Sequence, residues 1–137
     1  MTRGQRNNNP LNIRRVVGTC WKGSIAPQTD PDFVQFITAE WGIRAAFCII
    51  ETYRKKYQAV CVEDIISRWA PPSENNTREY IRAVCSLTGY GEREALREKQ
   101  WSRLVAAMAV IESRWQLSAE QVENGYALYK KLKNEKK

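Results

Sequence analysis

From residue 40 to about residue 57, apolar side chains recur on nearly every side of a helix: Trp41, Ile43, Ala45, Ala46, Phe47, Ile49, Ile50 and Tyr53. A helix that is apolar almost all round belongs at the centre of a core. The same periodicity predicts a short helix over 62–69, which Ala70-Pro71-Pro72 must end, because proline lacks the amide donor and disfavours helix in the residue before it. Residues 73–77 read as a polar loop, and a helix from about 77 to 87 is closed by Gly89. Residues 90–98 are charged and predict a turn or short helix, and 99–115 are strongly helical. Ser118-x-x-Gln121 has capping-box spacing and opens a last helix to about residue 132, with 134–137 expected to fray.

Residues 1–36 break this pattern. They hold Asn-Asn-Asn-Pro, Val-Gly-Thr, Lys-Gly-Ser and Asp-Pro-Asp, all turn chemistry, with short extended pieces predicted at 11–16 and 33–36. The fold class expected is mainly α, with about five helices and an irregular N-terminal segment that has room for a small β element. With 137 residues, 43% hydrophobic and 27% charged, the chain fits one domain over 1–137 and is not disordered in composition.

One side chain conflicts with its helix. On a wheel of residues 99–115, Trp101, Leu104, Val105, Met108, Ile111 and Trp115 share a face, and Glu112 lies on it too. A carboxylate in an apolar stripe costs free energy unless it is paired or protonated. Desolvation raises its pKa, as a general acid near neutral pH requires. The bland reading places Glu112 at the stripe's edge, snorkelling or paired with Arg103 or Arg114. Glu51, Glu63, Asp64 and Glu123 read as solvated charges. Glu40 suits the dipole of a first helical turn, with a second carboxylate as its alternative.

Composition narrows the chemistry. There is no histidine, so Ser-His-Asp and Cys-His mechanisms are excluded and acid–base work falls to Glu, Asp, Lys, Tyr or Cys. Cys20, Cys48, Cys61 and Cys85 include no CxxC pair, so no zinc or other metal site and no cofactor is expected. Cys48 and Cys85 read as small buried hydrophobes, and no disulfide is specified. The net charge of +7 suits an anionic partner: nucleic acid, membrane surface or cell wall. The basic residues are interleaved with acids and no nucleic-acid motif occurs, so no specific nucleic acid is expected. No apolar run approaches the roughly 18 residues of a membrane span. The polar start lacks a Sec-type signal, so action outside the cytoplasm requires another carrier.

Three segments carry a resemblance. Arg6-Asn-Asn-Asn-Pro-Leu-Asn-Ile-Arg14 resembles the "RNNNPGNIR" signature of small lysozyme-like proteins of phages, prophages and gut bacteria. Phe36-Ile-Thr-Ala-Glu-Trp-Gly-Ile-Arg-Ala45 resembles their "F-x-S-x-x-x-G-I-R-A" element, and Trp69-Ala-Pro-Pro-Ser-Glu-Asn-Asn-Thr77 with Tyr80 their "W-A-P-P-S-E-N-x-T-x-x-Y" element. Two departures stand out: Leu11 where the signature has Gly, so a positive φ there would be strained, and Ser113-Arg114 where relatives more often carry Asn-Gly. Some members are labelled only as virion structural proteins, and the resemblance implies a protein made in the cytoplasm that reaches the cell wall by phage lysis, virion delivery or another export route.

In lysozyme-superfamily glucosaminidases and lytic transglycosylases, a helix ends in "E-S-G-W" and an element resembling "N-x-F-G-I-K" follows, then "W-x-G" and an aromatic strand. Here Asn9–Arg14, Trp21-Lys-Gly23 and Phe33–Phe36 come first, and Ile111-Glu-Ser-Arg-Trp115 comes near the end. That order is similar to a circularly permuted lysozyme fold, which close termini permit. The resemblance implies peptidoglycan glycan-strand cleavage by a monomer, with Glu112 as acid and Glu40 or Glu74 as second carboxylate. It implies substrate contacts from Asn7, Asn8, Asn9, Asn12, Arg14, Trp21, Asn75, Thr77 and Tyr80. Ordinary readings stand beside these: Asn7–Asn9 as a turn capping backbone groups, Trp69 and Tyr80 as core, and Glu74–Thr77 as a helix N-terminus. The rival function is a non-catalytic virion or glycan-binding protein of the same fold.

Overall fold

A computed structural model of the chain describes residues 1–132. The helices are α1 (Arg3–Arg6), α2 (Ala39–Tyr57), α3 (Val62–Trp69), α4 (Thr77–Thr88), α5 (Trp101–Ser113) and α6 (Ala119–Lys131). The expected fraying of 134–137 lies outside the described residues. The mainly α expectation holds. Only α1 was not expected: Thr2 caps it in a box with Gln5, a Thr-x-x-Gln spacing legible in the sequence. Ser118 and Gln121 form the expected box on α6, and Gly89 closes α4 with a left-handed φ of 80°. The extended pieces expected at 11–16 and 33–36 meet through single antiparallel bridges, Arg14 with Phe33 and Ser24 with Phe36.

α2 lies in the middle, as its all-round apolarity requires. It buries Ile43, Ala45, Ala46, Phe47 and Ile50 within one core that also takes Leu11, Val34, Phe36, Ile65, Ile81, Leu104, Met108 and Tyr129. α6 crosses α2 at close range. A Cβ on Gly125 would sit 2.4 Å from Ile43 Cγ2, so any larger residue would push the helices apart. Phe47 stacks on Tyr129 with ring centroids 5.6 Å apart, and Tyr129 donates its hydroxyl hydrogen bond to Glu51 Oε2 at 2.8 Å. Glu51, expected as a solvated charge, is therefore a half-buried anchor between these two helices. Glu63 likewise pairs with Arg78 and Arg93. Arg44 is 1% exposed, and its Nε and one terminal nitrogen meet no partner among the described residues.

The N-terminal segment is held by polar side chains. The Arg3 guanidinium grips Asp30 in a fork at 2.7 and 2.6 Å, and Asn7 donates to the same carboxylate. These donors hold the Asp30 carboxyl far below the ordinary carboxylate range. Asn9 is completely buried, and its side chain bonds the backbone of Ile13 and Val34.

Candidate active site

α5 delivers Glu112 one residue before its C-terminal end, where the last carbonyls have no intrahelical partner. The N-terminal segment supplies those partners. Asn12 Nδ2 donates to the Glu112 carbonyl at 2.8 Å, and Thr2 Oγ1 and Gln5 Nε2 donate to that of Ser113 at 2.8 and 3.1 Å. The fit is tight enough that a Cβ on Gly4 would lie 2.0 Å from Ser113 Oγ. Asn12 takes a left-handed φ of 51°, which asparagine tolerates better than most residues. Leu11, the departure from the signature, is wholly buried and has no positive φ; that demand falls on Asn8 and Asn12 instead. The second departure matters more. Arg114 ends α5 at φ 51°, a left-handed conformation that favours glycine.

Two donors converge on the Glu112 side chain. Trp69, the last residue of α3, donates its indole N–H to Oε2 at 3.2 Å, and Tyr80 of α4 donates its hydroxyl to the same oxygen at 2.9 Å. Local chain chemistry puts them there. Pro71 and Pro72 stop α3 just after Trp69. The Thr77 hydroxyl then bonds the Ala70 carbonyl, and Asn76 caps α4 at the Glu79 amide, folding α4 back beside α3. Burial pushes the Glu112 carboxyl above the ordinary glutamate range. The bonds from Tyr80 and Trp69, the Asn12 amide and the charge of Arg14 pull it part of the way back. Burial, with the neighbouring Glu112, also lifts Tyr80 well above the tyrosine range. Neither Arg103 nor Arg114 pairs with Glu112: Arg103 reaches the Thr88 carbonyl, and Arg114 is exposed.

Glu112 lines a groove of about 590 Å³. Of the other expected site residues, Asn12, Arg14, Trp21, Glu74 and Asn75 line it with Glu112, and Tyr80 reaches Glu112 from beneath. Trp69, Arg68 and Phe33 line it as well; Trp69 packs against the core, as its ordinary reading expects, and also reaches the groove. A second cavity of about 660 Å³ shares Val16, Thr19 and Trp21 with the groove.

Five expected residues lie elsewhere. Glu40 stands in the first turn of α2, where its carbonyl backs onto Gly125, and it does not line the groove. Asn7 holds Asp30, Asn8 donates to the Phe36 and Ile37 carbonyls, and Asn9 is enclosed. Thr77 is buried on the Ala70 carbonyl. The Asn7–Asn9 amides thus cap backbone and carboxylate groups, the ordinary reading of that turn. No group of three or more His, Cys, Asp or Glu that could hold a metal occurs among the described residues. No helix among them is long and apolar enough to cross a membrane.

No family model matches the chain. Over 113 residues it is 41% identical to Protein P5 of Pseudoalteromonas phage PM2, an alignment covering 81% of this chain and 71% of that protein.

Proposed function

The chain belongs to the family of Protein P5 of Pseudoalteromonas phage PM2, and from the carboxyl at its groove we propose that it cleaves the glycan strand of bacterial peptidoglycan. One observation carries this reading: a half-buried glutamate on an apolar helix face, open to a groove, whose pKa burial raises. Protonated Glu112 donates to the leaving oxygen of a β-1,4 bond as oxocarbenium character develops. The contact between the end of α5 and Asn12 also supports a permuted lysozyme-like arrangement, since the segment expected to follow the catalytic helix packs against its end.

Glu74 is the other carboxylate on the groove and the candidate nucleophile or base. A separation of about 5–5.5 Å would give retention and about 6.5–9.5 Å inversion. With neither, the substrate's own groups complete a lytic transglycosylase reaction. Arg14 and Arg68 on the groove and the net charge of +7 suit an anionic wall reached after lysis or by virion delivery.

Incubating the protein with purified sacculi and analysing products by mass spectrometry tests this. Reducing ends on muramic acid, reducing ends on glucosamine and anhydro-muramic ends separate the three cleavage types. A folded Glu112→Gln protein should lose about 10²–10⁴ in rate, the usual contribution of a positioned general acid. A second reading, a non-catalytic phage structural or glycan-binding protein, is favoured by kinship to a phage protein whose name carries no activity. It requires wild type to be inactive on every wall tested.

A further inference from the structure

The two donors that reach the Glu112 carboxyl end on the same atom. Trp69 Nε1 stands 3.2 Å and the Tyr80 hydroxyl 2.9 Å from Oε2, and neither bonds Oε1. Resting on the reading of Glu112 as an acid, we propose that Trp69 and Tyr80 are paired positioning residues that keep Oε2 as an acceptor and so place the transferable proton on Oε1.

The argument follows from what each group can do. An indole nitrogen donates and never accepts, so Oε2 must present a lone pair to Trp69 in every protonation state. A tyrosine hydroxyl can turn and accept. If it did, a proton on Oε2 would sit between Tyr80 and the Trp69 donor, on an oxygen weakened as an acceptor, and one bond would deteriorate in a partly buried site. With the proton on Oε1, both donors keep a carbonyl-like oxygen. Tyr80 does not ionise near neutral pH, because burial and the adjacent carboxyl hold its proton on. The remaining charged and titratable groups around the carboxyl are Arg14 on the N-terminal segment, Arg68 on α3, Glu74 on the α3–α4 loop and Tyr53 on α2. Arg14 and the Asn12 amide act with the two donors in favouring the charged carboxylate.

The sign of the consequence is fixed. Hydrogen bonds to the charged form lower a pKa, so removing one must raise that of Glu112. Tyr80→Phe deletes a single hydroxyl and keeps the ring; Trp69→Phe deletes the indole donor. The experiment is a ¹³C-carboxyl NMR titration of each variant, with the Glu112 signal identified by its loss in Glu112→Gln. A pH profile of sacculus cleavage accompanies it. The Glu112 pKa should rise in Tyr80→Phe and in Trp69→Phe, and further in the double variant. The alkaline limb of the rate profile should move to higher pH with it. Loss of the fixed proton position should lower kcat about ten- to a hundredfold with KM unchanged.

A tyrosine that served packing alone would leave the Glu112 titration where it is. An unchanged or lower pKa in folded Tyr80→Phe overturns the proposal. A raised pKa in a protein that cleaves no wall upholds the proton placement and removes the enzymatic reading, so the two can fail separately.

Discussion

Asn9→Ala isolates the structural side of the Asn-Asn-Asn-Pro motif. Asn9 is completely buried, and its side chain makes three bonds: Nδ2 to the Ile13 carbonyl at 3.0 Å, Nδ2 to the Val34 carbonyl at 2.8 Å, and Oδ1 from the Ile13 amide at 2.9 Å. The alanine variant removes all three, but the damage is unequal. The Ile13 carbonyl keeps a partner, because the Val34 amide also donates to it at 3.0 Å. The Ile13 amide and the Val34 carbonyl lose their Asn9 bonds. Each buried group stripped of its partner costs about 1–3 kcal/mol. The expected loss is therefore about 2–6 kcal/mol, a large share of the roughly 5–15 kcal/mol that holds a small domain together. Urea unfolding followed by circular dichroism measures it. Asn75→Ala is the control: its amide is exposed and makes one bond of 3.3 Å to the Pro71 carbonyl, so its change should stay within about 0.5 kcal/mol. A loss below about 1 kcal/mol for Asn9→Ala would refute the reasoning and return the motif's amides to the list of substrate contacts.

Three further outcomes are expected. Glu112→Gln should be more stable than wild type near neutral pH and equal to it in acid. A carboxyl whose folded pKa is raised penalises the fold only once the unfolded chain ionises, so the gain should grow as pH rises through the ordinary glutamate range; Tm measured across pH checks it, and a gain confined to acid would reverse the sign. Met108→Asp should destabilise by about 4 kcal/mol or more, since Met108 is fully buried, whereas Lys99→Ala, at an exposed position, should stay within about 0.5 kcal/mol; equal thermal shifts would disprove the helix phase. Arg114→Gly should stabilise by about 0.5–1 kcal/mol, because the left-handed conformation at φ 51° costs a non-glycine residue about 1–2 kcal/mol and glycine gives part of that back through unfolded-state entropy; a drop in Tm would show that the arginine side chain supports the α5 terminus.

The helices were legible because each carries its own signal. The apolar girdle of α2, the prolines after Trp69, Gly89 and the Ser118–Gln121 box act within a few residues of themselves, and the observed bounds follow them closely. Departures occur where a terminus depends on distant groups. The helix expected over 99–115 runs from Trp101 to Ser113, preceded by a 3₁₀ turn and stopped where Arg114 turns left-handed against the N-terminal segment. Glu51 read as a surface charge because its own helix does not reveal Tyr129.

Periodicity alone marked Glu112 as the acid that did not fit its face, since an amphipathic pattern records which side of a helix leaves water. It could not say which segment that side would meet. Trp69 and Tyr80 lie 43 and 32 residues away in sequence and Asn12 lies 100 away, and only tertiary packing brings them to one glutamate, the first two at its carboxyl and Asn12 at its backbone carbonyl. The same holds for the asparagines: their composition announced a turn, but whether an amide faces backbone or groove depends on the chain that closes over it. Desolvation and hydrogen bonding are properties of an enclosure, so the chemistry at Glu112 was decided when α3, α4 and the N-terminal segment packed around the end of α5.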